Sequence, residues 1–361
     1  MRVYLLSTAV APLGSGLGGG VEHMVIAAAR QLHAHGLVTR IIAPMGSVAE
    51  VPDLLALPGR LAPTAVTHGH DLPLPVEADA FLITALHWLA ERIQPGDAIL
   101  NFSYDWLPLF LSDYLPCPLA TLVSMSSLNR SLDLEIHRLA ARHPERLAFL
   151  SAAQAASFGL NGPVRLIPPG VDLAQYRYNA QPSRALCWVG RIAREKGLED
   201  AFGLADRTGI AVTAFGVMQD RDYWDGLARR HPGAPVRYGG FLKMSVLAEV
   251  VREFQALLMT PKWLEAFGIV GIEALACGTP VVAYRRGGVG NYVRDGETGW
   301  LVEPDDLDEL CAAVERIEQI DRIACRALVE QRYTLAHYGT ALANWLRVLT
   351  AGPTSPTGVT T

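Results

Sequence analysis

Cysteine is scarce and unpaired in this chain. Cys117, Cys187, Cys277, Cys311 and Cys325 are odd in number and show neither a C-x-x-C pair nor zinc spacing. Neither a disulfide framework nor a structural zinc site is expected, and reduced thiols fit a cytoplasmic location. Charge of one sign is equally sparse: the net value is only −5 and Lys and Arg form no long run. Electrostatics therefore gives no support to nucleic-acid binding or to a basic membrane patch. No apolar run is long enough to span a bilayer, so no integral membrane segment is expected. The N-terminal MRVYLLSTAV is too short for a signal core with a cleavage site and reads as a first strand. His23, His33, His35, His68, His70 and His87 lack metal-ligand spacing with a fixed partner, and the HGH of His68–His70 reads as solvated. Asp220-Arg221-Asp222 has the D-x-D form of some metal sites, but it opens a helix, where acidic residues are common. No metal and no cofactor are expected.

Apolar residues, by contrast, make up half of the 361 positions, enough for two cores. Strands are expected at Arg2–Thr8, Leu37–Pro44, Ala98–Phe102, Pro118–Ser124, Arg146–Leu150 and Val164–Pro168. Helices are expected from Val21 to Gly36, over Glu77–Ile93 and Asp105–Leu115, and around Leu132–Ala141. Leu54–Pro75 reads only as a connection. After the Pro- and Gly-punctuated Pro168–Ser183 the alternation restarts. Strands follow at Ala185–Gly190, Ala211–Gly216, Pro235–Gly240, Ala256–Thr260, Thr279–Tyr284 and Thr298–Val302, with helices at Leu198–Arg207, Asp222–Arg230 and Met244–Arg252. Amphipathic helices at Leu307–Tyr333 and Leu335–Leu349 end the ordered chain. The fold class is α/β, with two doubly wound Rossmann-like domains facing one cleft. The first would span 1–168 and the second 169–334; residues 335–350 would cross back to the first, and 351–361 would be disordered.

Four stretches carry chemistry. EAFGIVGIEALACGTP (Glu265–Pro280) holds two carboxylates, Glu265 on a loop and Glu273 in an almost wholly apolar helix. A carboxylate there needs hydrogen-bond donors: a sugar diol, or a neighbouring Arg or backbone group. The Phe267-Gly268 step leaves N–H groups at the helix start, where phosphate is favoured. VGRIAREKG (Val189–Gly197) places Gly190, Arg191 and Lys196 just after a strand, the edge where α/β sheets bind ligands. The two cations suit a diphosphate, or are a solvated surface pair. Gly14, Gly16 and Gly19 match G-x-G-x-x-G, yet the first glycine follows its strand late and the second strand ends in Ala43-Pro44, without an acidic residue. A close approach of the backbone at Gly18, Gly19 and Gly20 to a diphosphate or sugar is the better account, with Glu22 a helix-start residue. Tyr104-Asp105-Trp106 sets a carboxylate among aromatics at a strand end, suited to a flat heterocycle with an N–H donor, or to a helix cap with a core Trp.

Together these residues resemble the family four retaining glycosyltransferases of the B-type (GT-B) fold. The opening stretch matches the E-x7-E signature and VGRIAREKG matches G-R-x-x-x-x-K-G. IPPGVD (Ile167–Asp172) matches the interdomain segment, and DGETGWLV (Asp295–Val302) a later one. STAVAPLGSGLGGGVE (Ser7–Glu22) with NFSYDWLP (Asn101–Pro108) resembles more narrowly the cyanobacterial UDP-glucose:tetrahydrobiopterin glucosyltransferase group. The resemblance implies a metal-independent hexosyltransferase using a nucleotide-sugar donor, UDP-glucose, and a small-molecule pterin acceptor. Arg191, Lys196 and Glu265 would be catalytic. Gly18, Gly19, Gly190, Phe267, Gly268, Ile269 and Glu273 would complete donor binding. The acceptor would meet Gly16, Tyr104, Asp105, Trp106, Ser124 and Met125. The chain departs from the family pattern twice: SMSS (Ser124–Ser127) has no histidine, and Asn291 stands where a Glu would follow Gly287-Gly288. A lipid or glycan acceptor, a non-catalytic nucleotide-sugar binder and a dinucleotide oxidoreductase are the alternatives.

Overall fold

The computed structural model describes residues 1–67, 69–72, 75–160 and 162–351. They divide into two compact units. The first comprises residues 1–150 and 155–167 with the C-terminal segment from Ala336; the second comprises 151–154 and 168–335.

The sheet of the first unit is built from β1 (Arg2–Leu6), β2 (Val38–Pro44), β3 (Leu54–Leu57), β4 (Ala98–Asn101), β5 (Leu119–Val123) and β6 (Leu147–Phe149). All neighbours are parallel, in the order β3-β2-β1-β4-β5-β6. Parallel strands need crossover helices, here α1 (Gly20–Ala34), α2 (Phe81–Ala90), α3 (Trp106–Leu111), α4 (Arg130–Arg142) and the short α5 (Ala152–Ser157). β1, β4 and β5 are buried along their apolar length, which is why they read as continuous hydrophobic runs.

Two expectations fail here for identifiable reasons. Leu54–Leu57 is not a plain connection: it pairs with Ile41–Pro44 as an edge strand, a placement that β2 imposes on an apolar run too short to announce it. Val164–Pro168 is not a strand. Leu166 makes one isolated bridge to Phe149, after which Pro168 and Pro169 have no N–H to extend the pairing. Several helix boundaries also move. α2 begins at Phe81, after a turn closed from Ala80 N–H to Glu77 O, and α3 spans only Trp106–Leu111.

The second sheet repeats the winding, with β7 (Leu186–Val189), β8 (Val212–Phe215), β9 (Val236–Gly240), β10 (Ala256–Met259), β11 (Val281–Tyr284) and β12 (Gly299–Val302) in the order β12-β11-β10-β7-β8-β9. Its helices are α6 (Leu198–Thr208), α7 (Arg221–Arg230), α8 (Met244–Val251), α9 (Ile269–Ala276), α10 (Leu307–Glu315) and α11 (Arg322–Arg332). The expected single stretch Leu307–Tyr333 is broken by a 3-10 turn at Ile317–Gln319, and Asp321 caps the restart by accepting from Ile323 N–H at 2.8 Å. α12 (Leu335–Thr350) then packs on the first unit. Its Trp345 indole N–H donates to Glu145 O at 2.7 Å, and Tyr338 to Met24 O at 3.3 Å. Of the tail expected to be disordered, residues 352–361 lie outside the described residues. All five cysteines are free thiols. Burial pushes all five up, Cys117 to about 11 and Cys325 to about 12 among them. No helix among the described residues is long and apolar enough to cross a membrane.

In both sheets the strand order reverses beside the first strand of the unit, between β1 and β4 and between β7 and β10. Loops leaving the carboxyl ends of such a strand pair diverge and open a crevice for ligands. The glycine loop and the Tyr104 corner follow β1 and β4; the Arg191–Lys196 and Glu265 segments follow β7 and β10.

Candidate active site

At the second reversal point, β7 ends and Gly190 leads into Arg191. The next residue, Ile192, is fully buried and anchors the loop. The Arg191 guanidinium donates to Gln219 Oε1 at 2.7 Å and lies 2.8 Å from Glu195 Oε1. A 3-10 turn, Arg194–Lys196, ends at Gly197 with φ +68°. A Cβ there would stand 1.8 Å from Thr260 O, so only glycine lets this loop lie against the end of β10. That approach delivers Lys196 to Glu265: Nζ and Oε2 are 2.7 Å apart, both side chains mostly buried.

Glu265 is fixed from three sides. Trp263 Nε1–H donates to the same Oε2 at 3.1 Å, and Lys196 Nζ lies 4.6 Å from the Trp263 ring centroid. The main chain of Glu265 bridges to Gly287, and Gly288 N–H donates to Glu265 O at 2.7 Å. Past Phe267, Gly268 takes φ +78° and becomes the N-cap of α9 without a side-chain cap, while its carbonyl accepts from Tyr292 Oη at 2.8 Å. Helix α9 thus begins with backbone donors that no side chain satisfies, next to the Lys196–Glu265 pair, an arrangement that attracts an anion.

Glu273 sits one helix turn into α9 and is buried. Its Oε1 accepts from the Tyr176 hydroxyl at 3.1 Å. Burial raises its pKa to about 7, against the lowering effect of that hydrogen bond. The partner is therefore a tyrosine from the stretch of the second unit that precedes β7, rather than an Arg or a backbone group. The structure brings Lys196 and Glu265 into contact, whereas Arg191 and Glu273 each hold their own partners. Asp220 is a cap of α7, accepting from Tyr223 N–H at 2.8 Å.

At the first reversal point Glu22 is far more than a helix-start residue. Its buried carboxylate accepts from Gly14 N–H at 2.9 Å, Gly16 N–H at 3.2 Å, Ser15 Oγ at 3.2 Å and Gly18 N–H. The amides expected from the glycine spacing to meet a ligand are turned inward at Gly16 and Gly18. Gly19, at φ +63° and with open space where a Cβ would be, remains exposed at the start of α1. This is not a dinucleotide cradle. In the Tyr104 corner, Asp105 caps α3 by accepting from Leu107 N–H at 2.9 Å. Its Oδ2 has no partner among the described residues, and burial raises its pKa. Tyr104 Oη donates to Ser126 O at 2.6 Å and accepts from Leu128 N–H at 3.0 Å, tying the corner to the Ser124-Met125 segment after β5. Tyr104 and Trp106 pack partly buried against the cluster of Leu109, Val123 and Phe149. His70, expected to be solvated, points its ring nitrogens at Asp133 (2.9 Å) and Asp71 (3.2 Å), with Asp133 the main cause of its raised pKa; His68 lies outside the described residues.

Residues 178–334 match the model of the family described as glycosyl transferases group 1. A D-inositol 3-phosphate glycosyltransferase of Arthrobacter sp. (strain FB24) is 30% identical over 84% of this chain and 83% of its own. The chain belongs to the group 1 glycosyltransferases. A D-inositol 3-phosphate glycosyltransferase of Rhodococcus erythropolis is 29% identical over 88% of this chain and 83% of that one. Among solved structures, HepE of Anabaena in complex with UDP and glucose superposes with a TM-score of 0.74 at 18% identity, covering 97% of this chain and all of the other. The two reversed-order sheets of this glycosyltransferase are thus the GT-B fold, and its reaction is transfer of a sugar.

No spacing rule announced Trp263, Tyr176 or Glu195: Tyr176 meets Glu273 from 97 residues away, while Trp263 and Glu195 meet Glu265 and Arg191 within a few residues through loop geometry that has no period. Glu22 carried one weak signal, a carboxylate two residues after a run of glycines.

Proposed function

We propose that this chain transfers glucose from UDP-glucose, with retention and without a required metal, to a hydroxyl of tetrahydrobiopterin or a related reduced pterin. The observation that carries the donor side is the Lys196–Glu265 pair beside the uncapped start of α9, with Glu273 buried in the same helix. In this reading Lys196 and Arg191 turn from their carboxylates to the diphosphate, and Gly190 and the N–H groups of Phe267, Gly268 and Ile269 complete its shell. The ribose diol donates to Glu273, and the hexose meets Glu265. The bond between the anomeric carbon and the diphosphate oxygen breaks as the acceptor oxygen bonds to that carbon. A donor phosphate oxygen takes the acceptor's proton, and UDP departs with its charge neutralised by the two cations.

The acceptor assignment rests on Asp105, whose Oδ2 is open to an N–H donor beside Tyr104 and the Ser124-Met125 segment. Incubation with UDP-glucose and tetrahydrobiopterin should yield an adduct heavier by one hexose on a mass spectrum. D-inositol 3-phosphate, the acceptor in the names of the two curated relatives, is the comparison arm. An adduct on it alone overturns the pterin and keeps the transfer.

A further inference from the structure

Glu265 Oε2 is held by two donors of different kind. The Lys196 ammonium, at 2.7 Å, is a mobile point charge with three donors that a diphosphate would draw away. The Trp263 indole N–H, at 3.1 Å, is a donor on a rigid ring that has no other role to play as a hydrogen-bonding group. Glu265 Oε1 has no partner among the described residues. Once Lys196 turns to phosphate, Trp263 alone keeps Oε2 in place, leaving Oε1 directed at a hydroxyl.

We infer that Trp263 is a positioning residue that fixes Glu265 for the hydroxyls of the hexose being transferred, and so makes this site select a hexosyl donor over the bare nucleotide. The inference rests on the donor side of the function proposed above. The nucleotide and diphosphate contacts run through Glu273, Arg191, Lys196 and the start of α9; of these Trp263 touches only Lys196, whose Nζ lies 4.6 Å from the ring centroid, a contact with the aromatic face that does not use the indole N–H.

The test uses the full chain with Trp263→Phe, which keeps an aromatic ring and deletes the N–H, and Trp263→His, which restores a ring N–H donor. UDP and UDP-glucose are titrated separately by calorimetry, and turnover is measured beside Glu265→Gln and the double variant. Trp263→Phe should bind UDP within about twofold of the parent, lose about tenfold in UDP-glucose affinity or kcat, as expected for removing a donor from a charged acceptor, and add nothing to Glu265→Gln. Trp263→His should recover part of that loss. A fall in UDP affinity as large as the fall in kcat, or losses of Trp263→Phe and Glu265→Gln that multiply, would overturn the inference. Absence of turnover with every acceptor would instead strike the proposed reaction, while the difference between UDP and UDP-glucose binding would still read the Trp263–Glu265 coupling.

Discussion

In the first unit the loop between β1 and α1 turns its glycine N–H groups inward onto one buried carboxylate, Glu22. In the second, the loop between β7 and α6 carries two cations, Arg191 and Lys196, whose carboxylate partners Glu195 and Glu265 lie beside them, largely but not fully buried. Both loops leave the middle of a sheet with the same strand order, so topology does not distinguish them. Charge does. A carboxylate enclosed by backbone donors is a finished structure, with its partners fixed in the main chain. Ammonium and guanidinium groups on long side chains can exchange one anion for another at little conformational cost. The first loop is therefore built to hold a shape, and the second to change partners.

The sharpest break between them should come from removing a cation. Lys196→Ala should lower kcat by about 100- to 1,000-fold, the scale of losing an electrostatic stabiliser of a leaving group. Glu265→Ala should lower turnover strongly while UDP stays bound; steady-state kinetics beside a UDP titration checks both, and unchanged turnover would remove Glu265 from the machinery.

Next in size is the carboxyl of Glu273. Burial raises its pKa from the ordinary 4.5 to about 7 in the folded chain. The stabilisation this gives is full below pH 4.5 and is lost as pH rises through 7. Glu273→Gln should therefore stabilise the protein at pH 8 by about 3 kcal/mol relative to the parent and by nothing at pH 4.5, measured by denaturant titration at each pH. If the ribose diol donates to the carboxylate, UDP affinity of the parent should also fall as pH drops through 7, more steeply than in Glu273→Gln.

A smaller effect is expected in the first loop. Glu22→Gln leaves glycine amides without an ionised acceptor and should cost about 2 kcal/mol of stability, with faster hydrogen exchange at Gly14, Gly16 and Gly18. UDP affinity should be unchanged; a drop there would mean that the first loop is a phosphate site after all. Smallest is Asp105→Asn, which keeps a cap oxygen and should change stability by less than about 1 kcal/mol, so that any larger change in acceptor KM reports on Oδ2.

Much of this was legible in the chain. The two rounds of strand and helix were readable because strands such as AILNF and ALLMT are buried on both faces and have no polar alternation to obscure them. The motif around Glu265 and Glu273 was readable because a charge in an apolar helix is costly and stands out. Less legible were elements whose state depends on a neighbour. Leu54–Leu57 became a strand because β2 offered an edge, and Leu166 failed to become one because two prolines follow it. At the Tyr104 corner, the sequence left a ligand platform and a helix cap equally open. The structure uses one oxygen of Asp105 as the cap and buries much of the aromatic surface.

From residue types and spacing alone followed the α/β winding, the cations at a strand end and the paired carboxylates, since each rests on a local rule: burial period, helix polarity, the cost of an unpaired charge. Which donor meets which acceptor was decided only by the tertiary structure. Glu22 closing the glycine loop, Tyr176 reaching Glu273 and Trp263 sharing Glu265 with Lys196 are contacts of a few ångströms, two of them within ten residues along the chain and one nearly a hundred apart. No periodicity encodes them, because hydrogen bonds are set by where packed elements place an atom and not by how far along the chain it lies.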